Sequence, residues 1–120
     1  MAYIDGFLIP VRNEDRETYK AHELKWWPFF RDLGAQTLVA GWGDDVPAGK
    51  QTDFHRAVDL KDGETVVLAW MTWPDKETRD KAYKSMEERS KDDPDMAPEA
   101  MPFDGRRMVW GGFAPLIQEG

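Results

Sequence analysis

A chain of 120 residues and 13.9 kDa has room for one domain, residues 1–120, and none for a catalytic domain beside a substrate domain. Its formal charge of -7, from 16 Lys and Arg against 23 Asp and Glu, argues against sequence-blind binding to nucleic acid or anionic membranes. The absence of Cys excludes a disulfide framework, a thiolate nucleophile and a zinc-thiolate site, while a 41% hydrophobic content with 6 Trp and 6 Phe excludes a disordered chain.

Tyr3 to Val11 alternates as a strand. Tyr3, Asp5, Phe7, Ile9 and Val11 share one face; Ile4, Gly6, Leu8 and Pro10 share the other. The opening segment has an acid at position 5 and no basic leader, unlike a signal peptide, and no run of about 18 apolar residues follows anywhere. A cytoplasmic protein without a membrane helix is expected. Pro10 lacks an N–H, which places that end at a sheet edge or past its pairing. From Arg16 to Leu33 the period lengthens to three and four through Tyr19, His22, Trp26, Phe29 or Phe30, and Leu33, which predicts a helix. Pro28 is expected to kink or break its last turn, and Gly34 to cap it.

Ala35 to Trp42 reads as a second strand and 43–52 as a loop. Phe54 to Leu60 reads as a short strand and Lys61 to Glu64 as a tight turn. Thr65 to Trp73 (TVVLAWMTW) is the strongest strand signal, apolar on both faces. Asp75 is placed to cap a second long helix running to about Arg89, with Ala82, Tyr83 and Met86 facing in. Ser90 to Phe103 holds Pro94, Pro98 and Pro102 and predicts an irregular excursion. Arg107 to Ile117 predicts a last strand interrupted at Gly111-Gly112. The resulting β-α-β-(β)-β-α-β order predicts an α+β, ferredoxin-like antiparallel sheet with two helices on one face. Two helices cover only one face of a sheet whose central strand is apolar on both. The simplest second cover is another copy of the chain, sheet against sheet, so a homodimer is expected. The alternative cover is the 90–104 excursion.

Several stretches resemble a bacterial family of unknown function, DUF1428: Asp5-Gly6-Phe7, the run Gly49 to Val58 (GKQTDFHRAV), Glu64 to Val67 (ETVV), and Met101 to Met108 (MPFDGRRM) through Gly111-Gly112-Phe113. The resemblance runs nearly end to end. It implies membership of the dimeric α/β-barrel superfamily, in which two ferredoxin-like subunits pack through their sheets. Similar proteins there include monooxygenases, haem-degrading enzymes and stress-response proteins. The resemblance supplies no catalytic residues.

From the residues themselves, Asp53, His55 and Arg56 form the best polar cluster. On an extended 53–57, Asp53 and His55 share a face, and a carboxylate beside an imidazole makes a base near neutrality. They are the candidate catalytic pair, with Arg56 as a candidate anion holder. The competing reading is an ion network that orders the 44–62 segment. His22, on the apolar stripe, is a candidate ligand-binding residue or a satisfied semi-buried histidine. Trp26, Trp42 and Trp70 are candidates to line a pocket between helices and sheet, against a plain core or interface role. Two His and no Cys predict no metal, and no Gly-rich loop predicts a nucleotide, so no cofactor is expected. The expected function is a small homodimer that binds a small aromatic or apolar ligand. A cofactor-free or haem-assisted monooxygenase or isomerase, and a structural or stress-response dimer, are the alternatives.

Overall fold

Ten register pairs, from Tyr3 opposite Trp73 to Arg12 opposite Glu64, join the two longest strands antiparallel. These are β1 (Tyr3–Arg12) and β3 (Glu64–Trp73). The computed structural model describes residues 2–120. In it, β2 (Thr37–Trp42) pairs with β3 and β4 (Val109–Phe113) with β1, so the sheet order is β2-β3-β1-β4, antiparallel throughout. Two long helices, α1 (Arg16–Asp32) and α3 (Lys76–Ser90), lie on one face, and a single turn, α2 (Phe54–Ala57), sits in the β2–β3 connection. This is the ferredoxin-like α+β arrangement that the element order predicts. The sheet is open, with β2 and β4 as free edges, so one chain closes no barrel.

Period two decides what each side of the sheet does. Val67, Ala69, Met71 and Trp73 of β3, with Ile9 and Val11 of β1, are buried beneath the helices. The opposite parity puts Leu68 and Trp70 beside Leu8 and Gly6, and then Val109 and Phe113, on the far face. There Leu68, Trp70, Val109 and Phe113 remain exposed. The 90–104 excursion is tied to the helix side, where Lys25 of α1 donates to Asp95 at 2.8 Å and Phe103 packs on the core. The Phe113 ring lies over Gly6 and Gly111, 3.6 Å from where each β-carbon would stand.

Three predicted elements are corrected. Phe54–Leu60 is no strand: Asp53 caps a helical turn by accepting from the Arg56 N–H at 2.7 Å. Helix α1 runs through Pro28 to Asp32, because the aromatic packing around it holds the last turn together. The final strand is shorter than predicted but unbroken through Gly111-Gly112. Gly112 faces Asp5, and a β-carbon there would collide with the Tyr3 hydroxyl and the Arg79 guanidinium. Other signals read as expected. Gly34 follows α1 at φ +116°, Asp75 caps α3 by accepting from Thr78 N–H at 2.7 Å, and Pro10 lies past the β4 pairing, which stops at Leu8.

Candidate functional site

The helix-side core is split. One cluster gathers Ile9, Val11, Tyr19, Val67 and Ala69; another gathers Ala35, Met71, Trp73 and Ala82. Between them α1 and α3 stand apart over the middle of the sheet and flank a cavity of about 380 Å³ that is open to solvent on one side. Its floor is Ile9, Ala69 and Met71; its walls are aromatic or sulfur-bearing, with Phe30, Tyr83, Met86, Phe103 and Trp110.

Glu23 brings a carboxyl into this apolar setting. It projects from the inner stripe of α1, four residues after Tyr19 and three before Trp26, and lines both the cavity and an outer groove between α1 and β2. It makes no hydrogen bond or ion pair among the described residues. Burial pushes its pKa up to about 7. Tyr19 is buried in the wall of the groove, and its hydroxyl has no hydrogen-bond partner among the described residues. Burial, and then the charge of Glu23, push its phenol above the ordinary value.

The linkage gives a first prediction. Glu23 deprotonates near its ordinary 4.5 in the unfolded chain and near 7 when folded, so folded protein holds the extra proton between these values. Stability therefore falls as pH rises from about 4.5 to 7 and stays lowered above. Glu23→Gln is expected to be more stable than wild type by about 1–3 kcal/mol at pH 8 and equal to it near pH 4. Denaturant melts at the two pH values check this, and a gap that does not change with pH would overturn it.

The residues singled out in the sequence are scattered. Asp53 accepts from the N–H groups of Arg56 and Gly49, at 2.7 and 3.0 Å, and these two bonds hold its carboxyl below the usual range. Arg56 donates to the Gly49 and Lys50 carbonyls, at 2.9 and 3.3 Å. This is a loop-ordering network. With α2 helical, the shared extended face of Asp53 and His55 is absent, and none of Asp53, His55 and Arg56 lines the cavity or the groove. His22 packs edge-on to Phe103, and burial followed by Lys25 lowers its pKa. Trp26 is buried under the Arg89 guanidinium, 5.2 Å from its ring, and does not line the cavity. Trp42 does line the groove, with Arg16 5.5 Å over its ring. Trp70 is on the far face of the sheet, by strand parity.

A third depression beside Met101 to Asp104 is polar, but its charges satisfy one another. Arg107 donates two bonds to Glu64, at 2.8 and 2.6 Å, and others to Asp104 and the Asp59 carbonyl. That network ties the 101–108 segment to the start of β3. Among the described residues no group of three or more His, Cys, Asp and Glu is placed to hold a metal ion, and no helix is long and apolar enough to cross a membrane.

The family model DUF1428, a protein of unknown function, matches residues 2–105. The uncharacterized protein YbaA of Escherichia coli (strain K12) is 42% identical over 121 residues, covering 99% of this chain and 100% of its own. The YbaA protein of Shigella flexneri matches to the same extent. Among solved structures, a dimeric ferredoxin-like protein from an uncultured marine organism superposes with a TM-score of 0.61 at 9% identity, covering 100% of both chains.

Proposed function

We infer that this chain, which belongs to the DUF1428 family, is a homodimer that binds a small apolar or aromatic molecule between its helices and its sheet. The cavity carries the ligand half of this reading. Its volume of about 380 Å³ lies within the roughly 300–1,000 Å³ of small-molecule sites, and its lining follows their pattern of apolar walls with few polar groups. The dimer half is supported by the far face of the sheet. The accessible surface of 8155 Å² exceeds by about 1,500 Å² the roughly 6,700 Å² expected of a compact monomer of this mass. A standard interface removes about 800 Å² per partner, so the excess is ample. The similar ferredoxin-like protein is described as dimeric. Two such sheets packed face to face would make the dimeric α/β barrel.

The ligand half is tested by calorimetry with n-propylbenzene as a neutral probe. One molecule is expected to bind per chain of wild type, and more weakly to Ala69→Leu, whose larger side chain takes up part of the cavity floor. Ala69→Leu should fold as well as wild type, since the added carbons enter open space. Affinity unchanged in Ala69→Leu would place the ligand elsewhere. No binding to wild type would leave a structural dimer.

A further inference from the structure

We propose that the cavity selects an amphipathic cation, an aromatic or aliphatic body carrying an alkylammonium group, with Glu23 as its counter-ion. This rests on the cavity being a ligand site and names the class of ligand. The lining residues that carry polar side-chain groups are Glu23, Glu87, Tyr83 and Trp110, and among the described residues no Lys, Arg or His lines the cavity. An anion would therefore meet two carboxylates and no opposite charge. A cation would meet those carboxylates and the aromatic rings of Phe7, Phe30, Tyr83, Phe103 and Trp110, whose negative faces attract ammonium groups.

Glu23 differs from the other sheltered acids of the chain. Asp5 is held by Arg79 and Trp73, Glu64 by Arg107, and Asp53 by two backbone N–H groups. Glu23 has no such partner among the described residues, and a carboxylate taken out of water needs one. Lys20 and Arg16 line the groove on the outer side of Glu23, and neither forms an ion pair with it. The negative net charge of the whole chain adds a weaker, long-range attraction for cations.

The groups that bear on Glu23 are Arg16, Tyr19 and Lys20 from the groove, and Tyr83 and Glu87 from α3 across the cavity. Burial moves the Glu23 carboxyl up to about 7. A cation binds its ionised form, so affinity should fall about tenfold per pH unit below 7 and level off above.

The test compares phenethylammonium with n-propylbenzene, its neutral isostere, by calorimetry at pH 5.5 and 8.5. The ammonium stays protonated at both, as lysine does. At pH 8.5 wild type should bind the ammonium about 10- to 100-fold more tightly than the hydrocarbon, the worth of a hydrogen bond to a charged group. That preference should shrink at pH 5.5 and vanish at both pH values in Glu23→Gln, which should still bind n-propylbenzene. Equal affinity for the two probes, or a preference that survives Glu23→Gln, overturns the counter-ion assignment and leaves the cavity reading standing. Failure of both probes to bind wild type overturns the cavity reading itself.

Discussion

Asp5→Ala is expected to destabilise the protein by about 3–5 kcal/mol, the cost of removing one partner from a buried ion pair. Asp5 is 0% exposed in the middle of the sheet. It accepts from Arg79 Nη2 at 2.8 Å, Arg79 Nε at 3.0 Å and Trp73 Nε1 at 2.8 Å. Arg79 is itself sandwiched, with its guanidinium 4.3 Å from the Tyr83 ring centroid and 5.4 Å from that of Tyr3. Alanine would leave the Trp73 indole N–H without an acceptor and Arg79 with Asp80 alone, at 3.0 Å. Thermal melts should drop by on the order of 10–20 °C. The double variant Asp5→Val with Arg79→Met should lose less than Asp5→Ala alone, because no charge is left unpaired. A loss below about 1 kcal/mol for Asp5→Ala would mean that Arg79 finds water, and the network would then contribute little to the fold.

The same cluster shows what the sequence reveals and what it hides. Alternation in Tyr3 to Val11 correctly puts Asp5 on the buried face, yet no local signal says that an arginine 74 residues away will meet it there. Parity also separates Trp70 from Met71 and Trp73, so its position on the far face was readable from the strand alone. The 53–58 run is too short to show a period clearly, and its apolar residues Phe54, Ala57 and Val58 in fact stand at helical spacing. The stronger signal there is an Asp three residues ahead of an N–H it can cap. Pro28 is a weak breaker because Trp26, Phe29 and Phe30 pack on either side of it and offset the lost hydrogen bond. Nothing in the sequence analysis singles out Glu23, although it stands four residues after Tyr19 and three before Trp26. That it faces a cavity depends on two core clusters failing to merge, which no periodicity reports.

Leu68→Asp and Trp70→Glu are each expected to turn a species of about 28 kDa, twice 13.9 kDa, into monomer at micromolar concentration. Leu68 pairs with Leu8 and Trp70 with Gly6 at the centre of the far face, and both side chains are exposed in the single chain, at 43% and 38%. A carboxylate at either position costs the folded monomer little, because it stays in water. In a two-fold dimer each substitution acts twice, and both charges would lose their water in a sheet-to-sheet interface. The dissociation constant should rise at least about a thousandfold. Leu116 and Ile117 extend the argument beyond the sheet. They follow β4 in a tail that leaves them 92% and 79% exposed, apolar groups that a partner subunit would cover. Lys84→Glu, on the outer side of α3, is the control and should leave the dimer intact. Sedimentation gives the mass, and far-UV circular dichroism shows whether each variant is folded. Folded variants that remain dimeric would move the interface away from this face. A wild type that sediments at 13.9 kDa would remove the dimer altogether, and the sheet would then stand uncovered in water.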